Sequence, residues 1–161
     1  MFNLIDGVYN SCFFTEFFDE HAGTDYNNRE KWFLFFDKIA KNIIERFNPQ
    51  TVLDAGCSMG YLVEALRKRG VQAYGVDVSE YAIAHVDDDI KPYCLVHLIT
   101  EKLPDSLLKT FDLVVTIEVL EHLQPEDGAK VIKNLCSLSD TVIFTSTPHD
   151  FDNITHVNVR P

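Results

Sequence analysis

Apolar residues follow two different periodicities along this chain. Between Arg29 and Phe47 they recur every three or four positions, which predicts an amphipathic helix that ends at Asn48-Pro49. Beyond this helix, short apolar runs bounded by small or polar residues predict five strands. The predicted strands cover residues 51–54, 72–76, 93–99, 111–117 and 141–146.

Three further helices are predicted between these strands. The first covers residues 59–69, and the second follows Ser79, a suitable N-cap residue, as far as Val86. The third begins at Pro125 and ends near Ser139. We expect its buried face to contain Ala129, Ile132, Leu135 and Cys136.

Strands that alternate with helices indicate an α/β fold. We expect a doubly wound, mainly parallel sheet with helices on both faces, a Rossmann-like arrangement that binds ligands at the carboxyl ends of its strands. Residues 31–161 form the predicted domain. Residues 1–30 are rich in aromatic side chains and predict a lid or cap segment.

Composition narrows the possible partners. The 161 residues suit one domain, and no apolar stretch reaches the ~20 residues of a membrane span, so we expect no membrane partner. The four cysteines are scattered without a C-x-x-C pair, which favours reduced thiols and a cytoplasmic location. With a net charge of −11 and no basic cluster larger than Arg67-Lys68-Arg69, we expect no nucleic-acid partner either.

The sequence from Val52 to Gly60 places small residues directly after the first strand, and Asp77 follows the second strand 21 positions after Gly56. This is the layout of a nucleotide-binding βαβ unit, in which glycines admit the ligand and the carboxylate receives ribose hydroxyls. Ser58 and Tyr61 occupy two of the three positions that are glycine in a dinucleotide motif. The pattern therefore disfavours a nicotinamide-dependent oxidoreductase, which we keep as the weakest alternative.

Three stretches in order, 54–60, 75–79 and 111–122, resemble the motifs of the class I S-adenosylmethionine-dependent methyltransferases, in the branch that acts on small molecules. The resemblance covers about residues 30–148. It implies S-adenosylmethionine as the cofactor, a small-molecule acceptor, and methyl transfer by in-line displacement. A module that binds this cofactor without turnover, within a larger protein, is the main alternative.

The resemblance also implies roles for individual residues. Asp54 would order the glycine turn near the cofactor's ammonium group, Asp77 would bind the ribose, and Val78 would pack on the adenine. An acid that related enzymes carry after the third strand is replaced here by Ile99, so backbone groups at Leu98 and Ile99 would contact the adenine instead. The predicted cofactor-binding residues are Asp54, Gly56, Cys57, Ser58, Gly60, Asp77, Val78, Leu98, Ile99, Glu118, Tyr26 and Arg29.

Proton transfer to or from an acceptor needs a base with a suitable pKa, and the imidazole of histidine titrates near neutral pH. The candidates are His122, His149 and His156, with loop or surface histidines as the alternative interpretation. Their spacing does not match that of a zinc site, so no metal is expected.

Little sequence follows the fifth predicted strand. The family that this chain resembles adds another helix and an antiparallel pair of strands, whereas here only residues 147–161 remain, with a possible strand beginning at 156–159. We therefore expect a truncated domain, with further domains in a longer chain.

Overall fold

A computed structural model describes residues 28–105, 107, 110–147 and 155–159, together with Tyr9, Phe13 and Phe14. Its helices are α1 (Arg29–Phe47), α2 (Tyr61–Lys68), α3 (Glu80–Ala84) and α4 (Pro125–Leu138). Its strands are β1 (Thr51–Ala55), β2 (Gln72–Asp77), β3 (Cys94–Val96), β4 (Leu113–Ile117) and β5 (Val142–Thr145). Short 3-10 helices cover Lys91–Tyr93 and Leu120–His122. None of the described helices is both long enough and apolar enough to cross a membrane.

The helix ends follow from local hydrogen bonding. The Asn28 side chain accepts the amide of Lys31 at the start of α1, and Ser79 Oγ accepts the amide of Ala82 at 3.0 Å at the start of α3. Pro125 lies at the first position of α4, where a missing N–H costs nothing. These starts confirm the predicted helix positions within one or two residues.

The five strands form one parallel sheet in the order β3-β2-β1-β4-β5. The chain runs outward from β1 to β3 and then returns to the other side of β1 with β4. Such a reversal leaves a crevice at the carboxyl ends of the two central strands, which is where ligands bind in open α/β sheets. This confirms the predicted doubly wound fold and places the crevice between the ends of β1 and β4.

Alternating side chains of the central strands enter two separate hydrophobic layers. Val52 and Val115 face the layer that contains α1 and α2, whereas Leu53 and Val114 face the layer that contains α4. All four side chains are fully buried. Burial on both faces explains why these strands are almost continuously apolar.

Three sequence predictions differ from the structure. The third strand covers only Cys94–Val96 rather than 93–99. In α4, Leu135 is buried as predicted, but together with Val131. Ile132 is 52% exposed and Ala129 and Cys136 are exposed, so the rest of the predicted face was wrong. Residues 155–159 form no strand; they pack against the turn at Leu120–His122 instead.

Candidate cofactor and acceptor site

The turn after β1 has a backbone that most residues would not adopt. Gly56, Ser58 and Gly60 have φ angles of 92°, 48° and 73°, in the left-handed region that favours glycine. The amides of Gly56 and Cys57 both donate to Val76 O, which fixes the start of the turn against β2. The turn then leads directly into α2, with Gly60 as its N-cap residue.

Gly56 is also required by its neighbour across the crevice. A Cβ atom at this position would lie 2.3 Å from Cγ2 of Val119, a residue of the loop after β4. The missing side chain therefore lets the two loops that follow β1 and β4 approach each other directly.

Asp77 closes the other side of the turn. Its Oδ2 accepts the Ser58 amide at 2.7 Å and its Oδ1 accepts the Ser79 amide at 2.8 Å. Burial raises the pKa of the Asp77 carboxyl, and hydrogen bonds from the backbone amides of Ser79, Ser58 and Val78 oppose that rise. Each carboxylate oxygen offers two lone pairs. With a third amide, that of Val78, also bonded to the carboxylate, the side chain can accept at least one further hydrogen bond, as a contact with a ribose hydroxyl requires.

Asp54 lies deeper in the protein, at the penultimate position of β1. It is 4% exposed, and burial followed by repulsion from Asp77 raises the pKa of its carboxyl from 3.8 to about 8. At neutral pH this carboxyl is thus protonated for much of the time. A cationic group bound nearby would favour its ionised form.

Two buried polar atoms near this turn have no hydrogen-bond partner within the described part of the chain: Ser58 Oγ and His97 Nε2. His97 follows β3, and its amide donates to the backbone oxygen of Asp77. Buried polar groups are normally hydrogen-bonded, so these two atoms are suited to polar groups of a ligand. Sequence reasoning did not single out His97, because no motif position predicts it.

The backbone groups expected to contact adenine have partners of their own. Leu98 O accepts the Glu101 amide, and Ile99 O accepts Asn134 Nδ2 at 3.1 Å. The Ile99 side chain packs into the layer beside α4. Their contact with adenine remains a prediction. The packing of Val78 on the adenine remains one too; its side chain is half-buried.

Cys57 belongs to the core. Its side chain is buried in the layer beside α2, and its Sγ lies where a Cβ on Gly75 would approach to 2.6 Å. A hydrogen bond with Cys94, together with burial, raises the pKa of the Cys57 thiol. The structure therefore assigns its side chain to packing beneath the turn.

The side chain of Arg29, a predicted cofactor-binding residue, is bound by carboxylates of the protein. Its guanidinium forms ion pairs with Glu64 and Asp87, and the Glu64 carboxyl also pairs with Lys68. Glu64 is only 3% exposed, so it requires these cations. Two other predicted residues, Tyr26 and His149, lie outside the described residues.

A second group of side chains, which we call the glutamate–histidine cluster, follows β4. It consists of Glu118, Glu121, His122 and His156. One ligand-type atom from each of Glu121, His122 and His156 lies within 4.8 Å of the other two. The side-chain carboxyl of Glu118 forms a hydrogen bond with that of Glu121. The backbone φ of Glu118 is 52°, which turns the chain sharply after β4. The structure thus brings together two of the three predicted catalytic histidines.

Backbone hydrogen bonds hold His156 beside this turn. Glu121 O accepts the amides of Val157 and Asn158 at 2.9 and 3.0 Å. The His122 Nδ1 lies 3.1 Å from Thr155 O. Because a carbonyl only accepts, this Nδ1 carries a proton, and Nε2 of the neutral ring keeps its lone pair. The sequence could not reveal this grouping, since 34 residues separate His122 from His156.

The electrostatics of this cluster differ from those of its residues in water. Burial, and then the neighbouring Glu118, raises the pKa of Glu121 from 4.5 to about 7, although Ser146 donates to its Oε2. Burial lowers the pKa of His122 from 6.5 to about 4. The imidazole is therefore neutral at physiological pH.

Tyr9 connects the two halves of the site. Its backbone oxygen accepts Ser79 Oγ at 2.6 Å, and its ring lies edge-on to His122 with centroids 5.8 Å apart. Burial and the nearby Asp77 and Glu121 raise the pKa of its phenol. Sequence analysis placed Tyr9 only in the general aromatic segment, so its position over the crevice is a new finding.

The sequence matches the profile of a family described as "Methyltransferase domain" over residues 25–157. A ubiquinone biosynthesis O-methyltransferase of Methylococcus capsulatus is 32% identical over 99 residues, which are 58% of this chain and 42% of that protein. A probable S-adenosylmethionine-dependent methyltransferase of Mycobacterium tuberculosis is 27% identical over 134 residues, covering 81% and 47%. The chain thus spans less than half the length of these relatives.

Among solved structures, magnesium protoporphyrin IX methyltransferase from Synechocystis PCC 6803 with bound SAH (S-adenosylhomocysteine) has a similar fold. The TM-score is 0.69 at 21% sequence identity, and the match covers 91% of this chain and 72% of the other.

The contact between the two loops predicts an unequal response of two glycines. Gly56→Ala should lower the free energy of unfolding by about 2–4 kcal/mol, since it adds both left-handed strain and a clash with Val119. Gly70→Ala is the matched control: its φ is 87°, but an added Cβ meets nothing within 4 Å, so only the strain of about 1–2 kcal/mol remains. Urea unfolding measures both.

Val119→Ala in the Gly56→Ala background should recover the part of the loss that comes from the clash. Equal losses in Gly56→Ala and Gly70→Ala, or no coupling in the double-mutant cycle, would contradict the direct loop contact.

The raised pKa of Asp54 predicts a pH-dependent stability. The unfolded state releases this proton near pH 3.8 and the folded state near pH 8, so folding takes up a proton between these values. The stabilising contribution of protonated Asp54 to folding is therefore fully present below about pH 4 and is lost as the pH rises to about 8. Asparagine at this position stays neutral. Between about pH 4 and pH 8, the free energy of unfolding of Asp54→Asn should therefore rise relative to that of the wild type by on the order of 1 kcal/mol per pH unit. Urea unfolding at several pH values tests this, and parallel curves would refute it.

Proposed function

We propose that this chain, which belongs to the S-adenosylmethionine-dependent methyltransferases, transfers a methyl group to an oxygen atom of a small-molecule acceptor. Family membership follows from the match over residues 25–157, and S-adenosylmethionine is the cofactor of that family. The observation that carries the proposal is the pairing of a nucleotide-binding turn with the glutamate–histidine cluster at adjacent strand ends.

The residues present fit the cofactor. Gly56 and Gly60 have no side chains, so a ligand can approach the backbone of the turn closely. Ser58 Oγ has no hydrogen-bond partner within the described residues, and the Ser58 amide donates to Asp77. Asp77 would hold a ribose hydroxyl with a remaining lone pair. Asp54 would balance the positive charge of the cofactor, which favours its ionised form.

The acceptor is placed on the β4 side of the crevice. Val119 contacts the glycine turn, so Glu118 and the cluster behind it lie next to the bound cofactor. When bound, S-adenosylmethionine supplies an activated methyl group, and the protein's task is mainly to position the acceptor in line with it. Oxygen as the attacking atom is supported by the relatives of about 30–36% identity that are named O-methyltransferases.

Residues of the chain then carry out the remaining tasks. Asp77 and the turn fix the cofactor, while Tyr9 covers the crevice between Ser79 and His122 and limits the entry of water. The cluster holds the acceptor hydroxyl and receives or displaces its proton, a role that suits the neutral imidazole of His122, with His156 beside it. We retain the N-terminal aromatic segment as the proposed lid.

Replacing Asp77 tests cofactor binding. Asp77→Ala should weaken binding of S-adenosylhomocysteine by about 10- to 100-fold, because it removes charge-assisted hydrogen bonds. The matched control is Asp112→Ala: Asp112 also accepts two backbone amides, of Gln50 and Thr51, but at the opposite end of the sheet. It should leave the affinity unchanged. Isothermal titration calorimetry gives both constants, with NAD as a ligand that should not bind.

Turnover is tested separately with phenolic and catechol acceptors by following formation of S-adenosylhomocysteine. Methylated product is expected at an acceptor oxygen. If Asp77→Ala binds S-adenosylhomocysteine as tightly as the wild type does, the proposed cofactor site is refuted. If methylation occurs only at nitrogen or carbon, the proposed acceptor atom is refuted.

A further inference from the structure

We propose that the glutamate–histidine cluster binds one divalent metal ion that accepts mixed nitrogen and oxygen ligands, with Glu118, Glu121, His122 and His156 as the protein ligands. The role that we give to the ion, to hold the acceptor oxygen, rests on the proposed function. The binding site itself is argued from the geometry of the cluster alone.

Three donor atoms are already gathered around one point. The ligand-type atoms of Glu121, His122 and His156 all lie within 4.8 Å of one another. Two ligands on opposite sides of a metal ion are about 4.2 Å apart, given metal–ligand bonds of about 2.1 Å. Small side-chain movements therefore suffice to close the three residues around an ion.

One atom of this group has no partner. Glu121 is 1% exposed, and while its Oε2 accepts Ser146 Oγ at 3.3 Å, its Oε1 has no hydrogen-bond partner within the described residues. A buried carboxylate oxygen without a partner carries a large desolvation cost. A metal ion at the centre of the cluster would offset that cost.

The carboxylates also lack a basic side chain. Glu118 approaches the Glu121 carboxyl, yet the lysine and arginine ion pairs of the described residues involve neither of them. Two adjacent carboxylates need a proton or a cation between them. Glu118 is exposed, so the cluster is open to solvent and to an incoming ion on that side.

The histidine ligands are held as metal-binding histidines usually are. His122 donates Nδ1–H to Thr155 O, which fixes the tautomer and directs the lone pair of Nε2 away from that bond. Glu121 O accepts two amides of the segment that carries His156. Such outer contacts orient the ligands before the ion arrives. Imidazole with carboxylate suits Mn²⁺, Co²⁺ or Zn²⁺ better than Ca²⁺, which prefers oxygen ligands alone.

A bound ion gives the cluster a defined role toward the acceptor. An acceptor hydroxyl that binds the ion loses its proton more readily, as metal-bound water does, and the proton passes to solvent. The oxygen then forms its bond to the methyl carbon as the bond between that carbon and sulfur breaks. The ion thereby also fixes the position of the attacking atom.

The test uses the full chain, stripped of metal with a chelator and titrated with MnCl₂ or CoCl₂ by calorimetry, while Co²⁺ is also followed by its visible absorption. One ion per chain is expected. Glu121→Gln and His122→Gln should each weaken binding at least about ten-fold. The matched control is Glu126→Gln, at an exposed glutamate in the first turn of α4, four positions after His122 in the chain; this variant should bind the ion as the wild type does.

Absence of saturable binding, or equal affinities in Glu121→Gln and Glu126→Gln, would overturn the inference. Circular dichroism checks folding, and if Glu121→Gln fails to fold, Glu118→Gln, at an exposed side chain, decides by the same ten-fold criterion. S-adenosylhomocysteine is titrated into the same samples. A wild-type chain that binds the cofactor but no metal refutes only this inference, whereas a wild-type chain that binds metal but no cofactor refutes the proposed function.

Discussion

The site depends on the close approach of two loops that leave adjacent strands of a parallel sheet. Because Gly56 has no Cβ, Val119 fills the space beside it, and the loop after β4 lies directly against the turn after β1. The register of the sheet brings these ends together, since Asp54 in β1 pairs with Val115 in β4. A side chain at position 56 would separate the glycine turn from the loop that carries the glutamate–histidine cluster.

The turn after β1 and its link to the end of β2 were predictable because their information is local. Gly56, Gly60 and Asp77 belong to one βαβ unit, so the spacing along the chain fixes their positions in space. The helix face of α4 was not predictable in this way. Its sequence offers two apolar stripes, one through Val131 and Leu135 and one through Ile132 and Leu135, and the sheet surface selects the first.

The glutamate–histidine cluster was predictable only in part, because it is assembled across the chain. His122 stood out from its position after β4, but its association with His156 depends on hydrogen bonds from Glu121 O to a later segment. Arg29 shows the converse. Its position suggested a ligand contact, whereas the buried Glu64, which the sequence does not reveal as buried, takes its charge.

Negative charge links the two halves physically. Asp77 raises the cost of ionising Asp54 on one side of the crevice, and Glu118 does the same for Glu121 on the other. Folding gathers these carboxyls, so ionising Asp54 and Glu121 costs more free energy in the protein than in water. Under the proposed function, a positively charged methyl donor on the β1 side and a divalent ion on the β4 side would offset this cost.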